Sequence, residues 1–116
     1  MESEAEIQQA IRLHLGRGRG LTLWRNSTGV SERIGRNGQR RFERHGLVKG
    51  ASDLIGILEP TGRWFALEVK RPGGKPTPEQ ELFLKLIRNH GGFGAVVDSV
   101  EAADAALARA RQGLCE

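Results

Sequence analysis

Three segments of the chain carry apolar residues at the spacing of an α-helix. The first runs from about Glu4 to Leu15, the second begins at Pro78, and the third covers Val100 to Arg111. Each segment follows a residue suited to capping a helix, and these residues are Ser3, Thr77 and Ser99. The buried stripe of the second helix is expected to consist of Leu82, Phe83, Leu86 and Ile87.

Four other segments are short and rich in branched or aromatic residues, as β-strands are. They are Leu21 to Arg25, Leu54 to Leu58, Arg63 to Val69 and Phe93 to Val97. Glu59-Pro60-Thr61-Gly62 joins two of them and suits a type I turn, with proline second and glycine fourth. The predicted order is αβββαβα, an α/β fold in which helices pack against a mixed sheet.

The stretch from 27 to 52 fits neither pattern, apart from a possible short strand over Arg41 to Leu47. It is rich in glycine and in arginine, with Arg33, Arg36, Arg40, Arg41 and Arg44. Irregular stretches this long are usually functional or disordered. A solvated disordered loop needs no ligand, whereas arginines among glycines suit a segment that orders on phosphates. We expect a basic, mobile loop within a single domain of residues 1–116.

Charge is distributed unevenly along the 116 residues, whose net charge is +4 and whose pI is about 10. Residues 1–11 contain three acids and no base, residues 12–49 ten bases and two acids, and residues 50–116 eight bases and nine acids. The positive charge is therefore concentrated in one third of the chain. This concentration favours a polyanionic partner such as a nucleic acid.

Composition excludes several other classes of protein. No apolar run approaches the roughly 20 residues of a membrane span, and the first residues are acidic where a signal peptide would be basic. We therefore expect a cytoplasmic protein without a membrane partner. The single cysteine, Cys115, provides neither a disulfide nor a thiolate zinc site, and no small-molecule cofactor is expected.

The predicted hairpin brings two carboxylates together. The predicted turn pairs Glu59 with Gly62, so the residue numbers of any two paired positions in the hairpin add up to 121. Asp53 therefore lies opposite Glu68, with Cβ atoms about 5 Å apart. Two such charges repel by about 3 kcal/mol, so a cation is expected between them, and Mg²⁺ suits a site made of oxygen ligands. Lys70 lies on the same face as Glu68. Two alternatives remain: Lys70 could neutralise Glu68 in an ordinary ion-paired sheet end, or a bulge could separate the acids.

Three further features have a structural and a functional interpretation. Ser3-x-x-Glu6 and Thr77-x-x-Gln80 are capping boxes, yet both Glu6 and Gln80 could also serve a site. The small residues Gly50-Ala51-Ser52 could let a phosphate approach Asp53, or could simply form a tight turn.

Several of these residues, in this order, resemble the VRR-NUC domain, the virus-type replication-repair branch of the PD-(D/E)XK nuclease superfamily. The similarity covers roughly residues 4–101 and rests on Glu6, Arg25-Asn26, the segment from Gly46 to Gly56, Glu68-Val69-Lys70, and Pro78-Glu79-Gln80 before Phe83. Ser52 stands where the superfamily has a proline before the aspartate, a departure that removes no ligand.

The resemblance implies a catalytic site. Asp53 and Glu68 would bind Mg²⁺, or Mn²⁺ as a substitute, with the backbone carbonyl of Val69 as a further ligand. Lys70 would position or activate the attacking water and balance charge on the scissile phosphate. Glu6 would be an outer acid of the site, and Gln80 a helper bonded to the site or the substrate.

The resemblance also implies a homodimeric DNA endonuclease acting on branched DNA, including four-way (Holliday) junctions, in a prokaryotic or phage-infected host cell. The residues expected to bind DNA are Arg17, Arg19, Arg25, Asn26, Arg33, Arg36, Arg40, Arg41, Arg44, Lys49, Arg71 and Lys75. Two alternatives stay open at this point: a non-catalytic nucleic-acid binding module of the same fold, and a restriction-type, sequence-specific nuclease.

Overall fold

A computed structural model describes residues 2–116 as three helices and six strands. The helices are α1 (Glu4–Leu15), α2 (Pro78–Asn89) and α3 (Val100–Arg111). The strands are β1 (Leu21–Arg25), β2 (Gly29–Ile34), β3 (Arg40–His45), β4 (Leu54–Leu58), β5 (Arg63–Val69) and β6 (Phe93–Val97). All seven elements of the predicted order are confirmed; β2 is additional, and β3 overlaps the possible short strand.

Four strands form one mixed sheet in the order β1-β4-β5-β6. β1, β4 and β5 pair antiparallel, whereas β5 and β6 pair parallel and are connected through α2. Leu54 pairs with Leu67 and Leu58 with Arg63, which is the predicted register. No bulge shifts this strand pair.

The turn between β4 and β5 differs from the predicted type I turn. The Gly62 N–H donates to the Leu58 carbonyl at 3.0 Å rather than to Glu59, and the Glu59–Pro60 peptide bond is cis. The turn-type prediction was therefore wrong. The strand register is nevertheless the predicted one, because it depends on how many residues the connection contains.

The sheet is packed on both faces. α1 and α3 cover one face over a core that includes Ile11, Phe65 and Phe93, all fully buried, and the two phenylalanine rings stack with centroids 5.3 Å apart. α2 covers part of the other face, where Phe83 and Ile87 pack with Ala66 and other small or branched residues. The result is a three-layer arrangement with one helix on one side and two on the other.

The apolar stripe of α2 is narrower than predicted. Phe83 and Ile87 are buried as expected, together with Leu84, but Leu82 is 67% exposed and Leu86 is 50% exposed. In the part of the chain that the structure describes, α2 is the one helix on its face of the sheet, so a single stripe faces the strands. Leu82 and Leu86 lie on a part of the helix that nothing in residues 2–116 covers.

The stretch from 27 to 52, predicted to be irregular, contains the antiparallel hairpin β2–β3. The possible short strand suggested over Arg41 to Leu47 overlaps β3, which begins one residue earlier and ends at His45. Every residue of both strands is exposed except Gly29, which is half-buried. Because no side of the hairpin is buried, its sequence lacks the apolar alternation that reveals a strand. A local signal was present in Asn37-Gly38, a typical hairpin turn sequence, and Gly38 has a φ of 72°.

No helix in residues 2–116 combines the length and apolar character needed to cross a membrane.

Candidate active site

Asp53 and Glu68 meet at one end of the four-stranded sheet. Asp53 directly precedes β4, and Glu68 is the second-to-last residue of β5. An Asp53 oxygen, Oδ2, accepts a hydrogen bond from the Val69 N–H at 2.9 Å. The Asp53 carboxylate is close enough to Glu68 for its charge to raise the pKa of Glu68. The pairing predicted from the hairpin register is confirmed.

The backbone at Asp53 is held from two other elements. The Asn26 N–H, just after β1, donates to the Asp53 carbonyl at 2.8 Å, and the Asn26 side-chain amide donates to the Ser52 carbonyl at 3.2 Å. From α1, the Gln8 amide donates to the Asp53 carbonyl at 3.4 Å. Asn26, predicted to bind DNA, therefore uses its amide to position the site. Gln8 was missed by sequence reasoning, although it lies next to Ile7 and about one helical turn from Ile11 on α1.

The environment of Glu68 disfavours a lone negative charge. Its side chain is 1% exposed, and burial together with the hydrogen bond and negative charge of Asp53 raises the pKa of Glu68 to about 9. The Lys70 ammonium lies 4.0 Å from Glu68 Oε2 and opposes this rise without cancelling it. Glu68 Oε1 is buried and has no hydrogen-bond partner within residues 2–116. The alternative of an ordinary ion-paired sheet end is therefore disfavoured, because Lys70 neither offsets the raised pKa of Glu68 nor provides a partner for Glu68 Oε1.

These donors fit a hard divalent cation. A divalent cation would neutralise the two adjacent carboxylates and would provide a partner for the buried oxygen of Glu68. No third histidine, cysteine or acidic side chain within residues 2–116 joins them in a cluster. The other ligands must then be backbone, water or substrate oxygens, and Mg²⁺ commonly binds in this way, through one or two carboxylates plus water and phosphate.

The backbone of Val69 is oriented toward the two acids. The Lys70 N–H donates to the Val97 carbonyl at 2.9 Å, so in this parallel pairing Val69 turns its own N–H and carbonyl away from β6. The Val69 N–H meets Asp53 on that side. The Val69 carbonyl faces the same way as its N–H, away from β6.

Glu6 is not placed at the site. Its carboxylate accepts a hydrogen bond from the Ser3 N–H at 3.2 Å, which completes the capping box of α1. Glu4 instead shares the helix face of Ile7 and Ile11, which are buried against the sheet. The negative charge of Glu4 contributes to the raised pKa of Glu68. The acid that α1 directs toward the site is therefore Glu4, and its spacing from Ile7 and Ile11 was the signal that the sequence offered.

Gln80 both caps α2 and lines the site. Its Oε1 accepts a hydrogen bond from the Thr77 N–H at 2.8 Å, and its side chain borders the same groove as Asp53. The carbonyl oxygen of Gln80 is thus fixed by the cap. Its NH₂ group is the part that remains to contact a substrate.

The small residues before Asp53 are explained by packing. Ala51 and Ser52 are 8% and 0% exposed, and Gly50 has a φ of 89°. A Cβ on Gly50 would lie 2.6 Å from the Glu79 backbone at the start of α2. These residues are small because α2 lies against them, which supports the tight-turn interpretation over phosphate approach.

A groove of about 570 Å³ connects the site to the hairpin. Asp53 and Gln80 border one part of it, and Val30 and Arg44 at the base of the hairpin border another. Three of the predicted DNA-binding residues line this groove, namely Asn26, Arg44 and Lys49.

The remaining predicted DNA-binding residues fall into three groups. Arg33, Arg36, Arg40 and Arg41 lie on the hairpin or its turn, and Arg25, Arg71 and Lys75 are exposed near the strand ends that carry the site. Arg17 and Arg19 precede β1 and so lie at the other end of the sheet from Asp53, roughly 17 Å away along a five-residue strand. There the Arg19 carbonyl accepts a hydrogen bond from Arg111 of α3. The structure does not bring Arg17 and Arg19 to the site.

Comparison with known families finds a match that spans most of the chain. The model of the VRR-NUC domain family matches residues 2–101, a range that includes every residue of the site and of the hairpin. A comparison with curated proteins finds no match.

Proposed function

The chain belongs to the VRR-NUC family, nucleases of the PD-(D/E)XK type, and from its site we propose that it is a Mg²⁺-dependent DNA endonuclease. The observation that carries this proposal is the pair formed by half-buried Asp53 and buried Glu68, with an unpartnered Glu68 oxygen, beside Lys70. Mn²⁺ is the expected substitute because it accepts the same oxygen ligands. The place of action would be the cytoplasm of a prokaryotic or phage-infected host cell.

Asp53, Glu68 and the Val69 carbonyl would hold the ion. When bound, a divalent ion polarises a phosphoryl oxygen, lowers the pKa of water and stabilises the charge that develops on the phosphate. The protein's own contribution begins with Glu68, which must release its proton before it can serve as a ligand. Ion binding is therefore linked to proton release.

Lys70 and Gln80 complete the site. The Lys70 side chain is 12% exposed and its ammonium is fixed beside Glu68, so its charge acts with little screening on a phosphate bound there. It would orient the attacking water and balance the charge on the phosphate. The free NH₂ of Gln80 would donate to a phosphate or water in the groove.

The direct test replaces each metal-binding acid without changing its shape. Asp53→Asn and Glu68→Gln should abolish cleavage of labelled DNA in Mg²⁺ while DNA binding in chelator persists. Glu101→Gln, an exposed acid at the start of α3, is the matched control and should cut like the wild type. Undiminished cutting by either site variant would refute the assignment, and binding without any cleavage by the wild type would indicate a non-catalytic module.

We further propose branched DNA, such as four-way junctions, as the preferred substrate and a homodimer as the active form. Two sites related by a two-fold axis suit a substrate of that symmetry. A group of exposed apolar side chains supports the dimer: Trp24, Ile57, Trp64, Leu82 and Leu86 are between 43% and 67% exposed. Trp64 and Leu86 line a common hollow of about 420 Å³. Such a patch on a small protein indicates a protein interface.

The dimer can be tested by charge insertion. Leu86→Glu should shift the protein to a monomer in sedimentation, whereas Leu13→Glu, on a comparably exposed leucine of α1, should not. A wild-type monomer that cuts linear duplex as well as junctions would contradict the proposed assembly and substrate. Cutting at one defined sequence in linear duplex would instead indicate a restriction-type enzyme.

A further inference from the structure

The hairpin β2–β3 has two chemically different faces. Side chains alternate along each strand, and the register pairs Val30 with Arg44, Glu32 with Phe42, and Ile34 with Arg40. These six residues therefore share one side, here called the apolar face. The opposite side carries Ser31, Arg33, Arg41 and Glu43 between the hairpin ends.

The apolar face is open to solvent. Val30, Ile34 and Phe42 are 58%, 74% and 71% exposed. The other three phenylalanines of the chain are at most 7% exposed, so Phe42 is placed quite differently from the phenylalanines of the core. A two-stranded hairpin with large uncovered apolar side chains is only marginally stable alone, which favours a ligand that covers this face.

The charge around the apolar face favours nucleic acid as that ligand. From Gly29 to His45 there are five arginines and two glutamates, a balance of +3. Glu43 pairs with Arg33 at 3.1 Å and Glu32 with Arg40 at 3.2 Å, while Arg36, Arg41 and Arg44 form no ion pair within residues 2–116. A second copy of this hairpin would bring the same positive charge and be repelled. Phosphates would be attracted, and unpaired bases could cover the aromatic ring.

The distance between the apolar face and the groove at Asp53 indicates how far from the scissile phosphate the unpaired bases would lie. Val30 and Arg44 line the groove that contains Asp53. Phe42 lies two residues before Arg44 along β3, or about 7 Å further from the groove, close to two steps of a nucleic-acid strand. A DNA strand that follows the groove away from the scissile phosphate would thus reach Phe42 within a few nucleotides.

We propose that the apolar face of the hairpin stacks against unpaired bases, with Phe42 as the stacking residue, and that this contact selects DNA whose duplex is interrupted near the scissile phosphate. Arg44 holds the strand backbone at the base of the hairpin. In continuous duplex the bases are stacked on one another, and Phe42 has no base face to contact unless a step is opened. The inference rests on the proposed nuclease function and assigns its substrate preference to a specific surface.

The experiment measures binding in chelator, so that its result does not depend on catalysis. The wild type, Phe42→Ala, Phe42→Trp and Arg41→Ala are titrated against a splayed arm, a four-way junction and an intact duplex of equal length. Phe42→Ala should weaken binding to the two interrupted substrates by about 10-fold or more, the size of one base stacked on an aromatic ring, with duplex binding unchanged. Phe42→Trp should preserve the preference, because it keeps an aromatic face.

Arg41→Ala removes a charge on the opposite side of the hairpin, so any loss of binding should be similar for all three substrates, since general attraction to phosphates carries no preference for unpaired bases. A 2-aminopurine beside the branch point should change fluorescence with the wild type and not with Phe42→Ala. Equal effects of Phe42→Ala on duplex and interrupted DNA, or no effect, would overturn the inference. So would conversion of a dimer to a monomer by Phe42→Ala, which would assign the face to a second copy.

The two proposals fail in different ways. If Phe42 governs binding to interrupted DNA but the wild type never cuts in Mg²⁺ or Mn²⁺, the nuclease proposal fails and the stacking surface remains. If the wild type cuts DNA and Phe42→Ala shows the same preference among the three substrates, the stacking inference fails and the nuclease remains.

Discussion

The four-stranded sheet and the β2–β3 hairpin are both built from short strands with antiparallel pairing, yet they differ in what surrounds them. The sheet lies between α1 and α3 on one side and α2 on the other, and residues of β5 such as Phe65 and Leu67 are fully buried. The hairpin packs against nothing in residues 2–116 that buries it, and its strands are exposed on both sides.

This difference would suit the two tasks proposed for these elements. Metal binding and phosphate chemistry need groups held in fixed positions, and Glu68 and Lys70 are held at the end of a buried strand. Contact with an irregular DNA substrate benefits from an element that can adjust, and segments with few buried contacts open most easily. The site is therefore expected to determine the rate of cleavage, and the hairpin the affinity for DNA.

The largest effect is expected from Lys70, at the end of the buried sheet. Lys70→Ala removes the fixed charge beside the phosphate and should lower the rate of single-turnover cleavage by about 10²- to 10³-fold. Lys75→Ala, in the exposed loop that follows, removes a charge of the same kind at a solvated position and should change the rate far less. Comparable rate decreases in the two variants would indicate that Lys70 contributes only general attraction to DNA.

The second effect is the loss of DNA affinity expected when the hairpin is deleted and the sheet is kept. Thr28 and Gly46 are adjacent in space, since a Cβ on Gly46 would lie 2.7 Å from the Thr28 Cα, so two glycines can replace residues 29–45. This variant should bind DNA about 10-fold or more weakly, and the salt dependence of binding should become shallower by about 0.9 for each phosphate that the hairpin neutralises. Its thermal unfolding temperature should stay close to that of the wild type. A large drop in that temperature would mean that the hairpin supports the sheet.

The same contrast explains what could be predicted from sequence. Apolar periodicity reflects burial, so α1, α2, α3 and the strands of the packed sheet were predictable, and the hairpin register correctly placed Asp53 against Glu68. The exposed hairpin has no such periodicity, and its main signal was the local turn sequence Asn37-Gly38. The exposure of Leu82 and Leu86 depends on how much of the sheet one helix covers, which the helix sequence does not contain.

The site residues show a second limit. Glu6 and Gln80 each fit a capping box, and both boxes form, but only Gln80 also borders the groove. A capping motif predicts where a helix begins and does not predict which side of the helix faces the site. The buried residues Ile7 and Ile11 do identify the side of α1 that faces the sheet, and Glu4 lies on that side.

The third effect concerns the stability of the metal-free protein. The folded pKa of Glu68 is raised to about 9 from an unfolded value of 4.5, so the unfolded state binds fewer protons between these pH values. The stability that neutral Glu68 contributes is complete below pH 4.5 and is lost as pH rises toward 9. In chelator, Glu68→Gln should therefore unfold at a temperature at least about 5 °C higher than the wild type at pH 8, with a smaller gap at pH 5.

Differential scanning fluorimetry across this pH range measures both proteins. Added Mg²⁺ should stabilise the wild type at pH 8 and have little effect on Glu68→Gln, since the ion replaces the proton on Glu68. A gap between the two proteins that is independent of pH would contradict the buried, proton-linked carboxyl.

The smallest effect distinguishes the roles of Glu4 and Glu6, the two acids in the first turn of α1. Glu4→Gln removes a charge on the sheet-facing side of α1 and should lower cleavage by about 10-fold, the scale of an outer group that tunes a metal site, with a smaller effect on stability than loss of the cap. Glu6→Ala breaks the capping box and should cost about 1 kcal/mol of stability with cleavage unchanged in the folded protein. Single-turnover cleavage and denaturant unfolding of both variants measure this crossed pattern. If Glu6→Ala slows cleavage and Glu4→Gln does not, the acid from α1 is Glu6, and α1 must rotate when DNA binds.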